Sequence, residues 1–568
     1  MRVLLEAIKF NHDQTSATTD AFNIRKNETQ FVTVPEWQRG VSHKPEDSPA
    51  AYAICETRGK TITIQAKFKC DDLSIEAAQV RALDARASRS ESLGCGPAGL
   101  ILSLLLPRQR PLSGNVLGVV KEKQVRFNAN GETDFVKFAL QNTQLSRAGV
   151  SASTTEWRWQ FRLLPSDRWT DFATTTHRIY TVLEVPALPW QQKPYDGTNT
   201  QLPWTEVLDY ACQWAASAQD PDEAATLITR NVFNLGTEGL IVYGGSPFYS
   251  TPNFDCTKFL GLLRDRKGMA QKLNCSDCAA IVSSFANILG CQLWQSIVGP
   301  HFRTNPVRLI GRRGIKPRDF IDIGHEVAWK GDCKEDDELF DACLQVDGDE
   351  DPKGGDFDPL LPAKLRFGKP GENSYRFRLA PPPTGATDNC RPLPGNRQHR
   401  KVGKQTPGRG KKLDDGLLDF AKEHYQFESW RSLSPSKKSV SAQKLFTRRD
   451  ALNGWTLDSV QHQQMERAIQ VKQSLWQSIE NPEWLLRVDI FKCENVEDAR
   501  ALTLHLLGEF QLDNIKLLEP AIGDVAFVEE GGISILFAVS DHVFLIRSAG
   551  KSSISIMETA LQLNQQLS

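Results

Sequence analysis

The stretch Asn274-Cys275-Ser276-Asp277-Cys278-Ala279-Ala280-Ile281-Val282 passes from polar to apolar and decides how the middle of the chain folds. Ile281, Val282, Phe285, Ile288 and Leu289 recur at helical spacing and form one apolar face, and Gly290 supplies a stop. Cys275 sits at or just before the helix N-terminus, with Asn274 or Ser276 as its cap. At such an end the macrodipole and the unpaired N–H groups favour a thiolate, the nucleophilic form of cysteine. Fifty residues on, Gly324-His325-Glu326-Val327-Ala328-Trp329 reads as a strand, and sixteen residues after His325 a second strand runs through Phe340-Asp341-Ala342-Cys343-Leu344-Gln345-Val346. A thiol at a helix start that faces a histidine and a carboxylate on neighbouring strands is what thiol acyl transfer requires. The imidazole draws the proton from sulfur, and the carboxylate fixes its tautomer and stabilises its charge.

Other readings of the same residues stay open on sequence alone. Cys275 and Cys278 are spaced as a zinc pair or a redox dithiol. Zinc needs a second pair, and Cys333 and Cys343 stand ten apart. A redox dithiol needs a strand that ends at the motif, whereas Arg264 to Leu273 reads as charged and helix-like. A buried cysteine with an unrelated histidine and aspartate is the plainest alternative. Cys278 is expected to pack in the core, and Asp277 to steady the first turn.

Residues 200–352 resemble the transglutaminase-like cysteine enzymes, a branch of the papain-like fold. The residues that carry the resemblance are Cys275 with Asp277, His325 with Trp329, and Asp341. The family often reads His-Ala-Trp, while here three residues separate His325 from Trp329. The resemblance implies a catalytic triad of Cys275, His325 and Asp341, with Tyr243 as an upstream aromatic near the oxyanion. It also implies acyl transfer at amide bonds of proteins or peptides through a thioester. Hydrolysis, as in a peptidase or amidase, is favoured over transfer to an amine, which would crosslink proteins. The alternative is a non-enzymatic interaction scaffold on a degenerate core. No cofactor or metal ligand set is read from the sequence.

On either side of this core the chain reads as α+β and multi-domain. Residues 1–195 are β-rich: Thr61 to Phe68 and Trp157 to Arg162 alternate with period two, and Arg178 to Leu183 is β-branched and aromatic. A β-sandwich is expected there, with Ala98 to Leu106 as a buried strand or short helix. Residues 353–412 hold nine prolines and nine glycines and a basic run from Arg397, which makes them an irregular connector with one strand at Tyr375 to Leu379. Residues 413–480 read as polar and helical. Residues 484–568 read β-α-β-β-β-α, a small α+β domain.

Composition bounds the rest. The 568 residues are 40 % hydrophobic and 24 % charged, which excludes a disordered chain or a coiled coil. Lys and Arg number 68 against 69 Asp and Glu, so no global field draws nucleic acid or membrane. Met1-Arg2-Val3-Leu4-Leu5-Glu6 does not read as a signal peptide. Twelve cysteines without repeating spacing point to free thiols in a reducing cytoplasm. The expected partner is a protein or peptide substrate, with neither membrane nor nucleic acid involved; the oligomeric state is not encoded in any pattern found.

Overall fold

The computed structural model describes residues 2–13, 19–41, 44–85, 115–190, 202–244, 247–250, 253–266, 270–299, 302–312, 317, 319, 321–322, 324–349, 351–352, 356–361, 365–382, 390–403, 415–434, 452–465, 468–482, 484–510, 515–519, 522–548 and 554–566. The expected buried element at Ala98 to Leu106 and the basic run beyond Gly403 lie outside the described residues. Two compact units divide the chain. One is Met1–Ile228 with Ser284–Gln292, the other Thr229–Ser283 with Leu293–Ser568.

The first unit is built on strands β1 (Val3–Lys9), β2 (Trp37–Gln38), β3 (Ala50–Ala53), β4 (Thr63–Cys70), β5 (Ala77–Asp84), β6 (Val119–Arg126), β7 (Val136–Gln141), β8 (Ser151–Arg162) and β9 (Thr170–Val182). They form one nine-stranded sheet in the order β2-β1-β4-β7-β6-β5-β8-β9-β3, in place of the expected sandwich of separate sheets. The reason lies in the middle of the ladder, where β6 and β7 still pair at Val119–Gln141 and Val120–Leu140. Inward side chains of the two halves then meet in one core. Phe68 of β4 lies 5.8 Å from Trp159 of β8, and Phe10, just after β1, lies 5.8 Å from Trp157. Stacked and edge-on aromatics of this kind let a single curled sheet bury both of its halves. Helix α1 (Thr205–Trp214) follows.

The second unit takes in the end of α2 (Pro221–Thr237) and continues with β10 (Ile241–Tyr243), α3 (Cys256–Asp265) and β11 (Gln271–Leu273). β10 and β11 are parallel, with Tyr243 opposite Leu273, so the three elements form a short βαβ unit. The helix-like reading of Arg264 to Leu273 is corrected here: the helix ends at Asp265 and a strand leads into the cysteine motif. Helix α4 (Cys275–Asn287) comes directly after it. A five-stranded sheet follows, made of β12 (Trp294–Gly299), β13 (His325–Trp329), β14 (Glu338–Phe340), β16 (Leu365–Arg366) and β17 (Arg391–Gln398), in the order β16-β14-β13-β12-β17. β15 (Leu344–Asp347) lies outside that sheet.

Tyr375 to Leu379 is helix α5 (Tyr375–Leu379), not the expected strand. Its Tyr-Arg-Phe-Arg-Leu alternation is deceptive because the arginines are buried as well. Arg376 donates to the carbonyls of Cys390 and Ala380 at 2.7 and 2.8 Å, and Arg378 to that of Asp347 at 2.8 Å. Buried guanidinia satisfied by main-chain oxygens erase the polar face that alternation normally marks.

Among the described residues, the segment read as helical over 413–480 is helical in α6 (Asp415–His424) and α7 (Phe427–Arg431). It continues as the hairpin β18 (Trp455–Met465) and β19 (Ala468–Ser478). Gln, Lys, Glu and Met are good helix formers, but pairing of β19 with β20 (Leu485–Lys492) overrides that local preference. With α8 (Val496–Phe510), β21 (Ile515–Leu517), β22 (Val525–Glu529), β23 (Ser534–Val539), β24 (His542–Ser548) and α9 (Met557–Gln566), the C-terminal part holds a seven-stranded sheet in the order β18-β19-β20-β24-β23-β22-β21. The expected β-α-β-β-β-α lacked β22, whose Val525, Ala526 and Phe527 are all buried and so show no period of two.

A buried charge network on this sheet reaches the βαβ unit. Arg487 and Arg547 bind Asp489 at 2.8 and 3.2 Å, and Arg487 Nη1 donates to the carbonyl of Ala270 at 2.8 Å. Burial pulls Arg547 down to about 9, and the nearby Arg487 adds to the effect. No helix among the described residues is long and apolar enough to cross a membrane.

Candidate active site

Helix α4 starts where its cap dictates. The Asn274 side chain accepts the Asp277 N–H at 3.2 Å, and the Asp277 carboxylate accepts the Asn274 N–H at 3.1 Å, a reciprocal capping box. Asp277 also accepts the N–H groups of Phe248 and Tyr249 at 2.7 and 2.8 Å, which ties the loop after β10 to the first turn. Burial pushes this carboxyl above its usual range against those three bonds. Cys275 is thereby held as the first helical residue, 8 % exposed, with its Sγ 3.8 Å from the carbonyl oxygen of Gly324.

Gly324 precedes β13, and the register of β13 supplies the next group. Ala328 pairs with Phe340 across β13 and β14, so the chain leaving β14 passes beside Val327 and brings Asp341 diagonally to His325 on the same face. Their side chains meet: His325 Nε2 lies 2.7 Å from Asp341 Oδ2, each residue 1 % exposed. Asp341 Oδ1 accepts the N–H groups of Cys343 and Leu344 at 2.7 and 3.1 Å, which fixes the carboxylate's orientation. Burial opposes charge on His325, but the charge and hydrogen bond of Asp341, joined by the Cys275 side chain, outweigh it and hold the imidazole well above its ordinary pKa. With Nε2 engaged by the carboxylate, Nδ1 is the nitrogen left for a thiol.

One further group escapes the sequence reading. The Tyr375 hydroxyl donates to Asp341 Oδ2 at 2.6 Å and is fully buried. It lies 34 residues beyond Asp341 on a five-residue helix, so no spacing signal marks it. Trp329 serves the core instead: its Nε1 donates to the Ser296 carbonyl at 3.1 Å, and its ring packs on Phe367. Tyr243 stands on β10 opposite Leu273, two residues before the thiol. Burial pushes the thiols of Cys278 and Cys343 up. Cys333 is pushed up to about 12, again chiefly by burial. Among the described residues no group of three or more His, Cys, Asp or Glu is placed to hold a metal ion.

No protein-family model matches this sequence, and no curated protein does. Among solved structures the chain is similar to a red sea bream transglutaminase. The identity is 11 % and the TM-score 0.29, over 76 % of this chain and 69 % of that one. A likeness this loose carries no functional argument, so the chemistry rests on the side chains.

Proposed function

We propose that the protein is a transglutaminase-like cysteine enzyme that cleaves amide bonds of proteins or peptides through a thioester on Cys275. What supports this reading is the short, buried His325–Asp341 hydrogen bond beside a thiol at a capped helix start. The thiol proton passes to His325, and Cys275 attacks the amide carbonyl carbon. The imidazolium, stabilised by Asp341, then returns the proton to the departing amine. Water opens the thioester and releases the acid; an amine that reaches the thioester first would give transamidation instead.

The test has two arms. In the reduced full-length protein, iodoacetamide at neutral pH should alkylate Cys275 well ahead of every other cysteine. Ammonia or amine release from a glutamine-containing peptide library should vanish in Cys275→Ala with its melting temperature unchanged. Labelling spread evenly over the cysteines, or normal turnover in Cys275→Ala, overturns the proposal. A primary-amine probe in the same assay reads the ratio of hydrolysis to transfer.

A further inference from the structure

The acyl-transfer chemistry uses Cys275 but leaves its pairing with Cys278, three residues on, without a role. β10, α3 and β11 form a parallel βαβ unit, β11 ends at Leu273, and α4 begins at Cys275. A Cys-x-x-Cys spacing that follows such a unit and opens a helix is the framework of dithiols that exchange with disulfides. Helix geometry places residues i and i+3 with Cα atoms about 5 Å apart, inside the span of roughly 4.4–6.8 Å that a disulfide tolerates. Cys275 is the more open of the two at 8 % exposure, whereas Cys278 is buried at 1 %. A helix-starting thiol with a deeper one a turn behind is an attacking and resolving pair.

We propose that Cys275 and Cys278 form a reversible disulfide when Cys275 is oxidised by a peroxide, with Cys278 as the resolving thiol. This rests on the reading of Cys275 as the reactive thiol. The Cys275 thiolate attacks hydrogen peroxide, the O–O bond breaks, and a sulfenic acid and hydroxide result, sulfur losing two electrons. Cys278 then attacks that sulfur. The S–S bond forms, the S–O bond breaks, and the oxygen leaves as water with the Cys278 proton. A dithiol reductant reverses the bond by exchange and is itself oxidised to a disulfide.

Cys343 is the competing partner, since its buried thiol is electrostatically coupled to that of Cys278. Its main chain is fixed, however, by the N–H bond to Asp341 at 2.7 Å. Cys275, by contrast, shares the first turn of one helix with Cys278 at the i, i+3 spacing. Burial pushes Cys278 and Cys343 up, which keeps both protonated and leaves the first oxidation to Cys275.

The experiment treats the reduced full-length protein with hydrogen peroxide, blocks remaining thiols with iodoacetamide, and maps linkages by mass spectrometry without reduction. The expected result is a Cys275–Cys278 linkage that dithiothreitol removes, with restored alkylation of Cys275. In Cys278→Ala, Cys275 should alkylate at the parent rate before oxidation. After peroxide it should accumulate as sulfinic acid that dithiothreitol does not rescue. A parent protein in which Cys275 becomes sulfinic acid or stays unmodified while Cys278 remains alkylatable overturns the inference, as does a Cys278–Cys343 linkage. The parent mapping stands even if Cys278→Ala folds poorly. Selective alkylation of Cys275 without the linkage removes only the pairing, whereas unselective alkylation removes the catalytic reading beneath it.

Discussion

Asp341→Asn keeps the shape of the side chain and turns one of its two acceptors into a donor. In the parent, Oδ1 takes two backbone N–H groups at 2.7 and 3.1 Å, and Oδ2 takes His325 Nε2 at 2.7 Å and the Tyr375 hydroxyl at 2.6 Å. The amide oxygen must stay with the backbone donors, because a buried N–H left unpaired costs about 1–3 kcal/mol. The NH2 group then faces His325 and Tyr375. The tyrosine hydroxyl can turn to accept, but the imidazole can accept only by carrying its proton on Nδ1, the nitrogen needed by the thiol. Loss of the charge-assisted bond should cost roughly 1.5–3 kcal/mol of stability, and the wrong tautomer should lower turnover by about 10²- to 10⁴-fold.

The same substitution changes the pH dependence of folding. The folded pKa of His325 is raised above 6.5, so its contribution is fully present below that value and is lost as pH rises through the higher folded value. In Asp341→Asn burial again resists charging the ring, and that alkaline loss should disappear. Urea unfolding from pH 5 to 9, with amide-release kinetics on the same samples, measures both effects. The double variant Cys275→Ala with Asp341→Asn should turn over no more slowly than Cys275→Ala alone. Full activity in Asp341→Asn together with a parental pH profile would refute the reasoning and leave Asp341 a strand-end residue.

Tyr375→Phe removes one donor without disturbing the imidazole tautomer, so stability should fall by roughly 1.5–3 kcal/mol while turnover drops less than in Asp341→Asn; melts and single-turnover rates compare the two. Asp277→Ala strips the acceptor from the N–H groups of Asn274, Phe248 and Tyr249. It should destabilise by at least about 3 kcal/mol, in contrast to Cys275→Ala, and paired urea titrations decide. In the first unit, burial pushes the Glu36 carboxyl from 4.5 up to about 7. Its folded form holds a proton that the unfolded chain releases, so stability should fall by on the order of 3 kcal/mol as pH rises across that interval. Glu36→Gln should flatten that slope, and an unchanged slope would count against the assignment.

The legible part of this chain is the part in which local pattern and tertiary environment agree. The apolar face after Cys275 and the strand at His325 are written in ordinary periodicity, whereas the single strand expected from Phe340 to Val346 is two, Glu338–Phe340 and Leu344–Asp347, with Asp341 in the chain between them. Tyr375 was not legible, because its bond depends on a short helix whose buried arginines mimic a strand. β22 was hidden by burial on both faces, and the hairpin Trp455–Ser478 by side chains with good helix propensity. β11 was missed for want of length: three residues between a charged helix and a cap carry no period. In each case long-range pairing supplied what local sequence lacked.

The bond from Arg487 to Ala270 bears on how this protein could be divided. Ala270 stands five residues before Cys275, and its carbonyl is met by a side chain more than two hundred positions later in the gene. A chain ending before residue 415 would keep Cys275, His325, Asp341 and Tyr375 and still forfeit the bond at the start of the strand that leads to the cysteine. Because the acceptor is a main-chain oxygen, the contact asks for a long donor side chain at position 487 and places no demand on the side chain at 270.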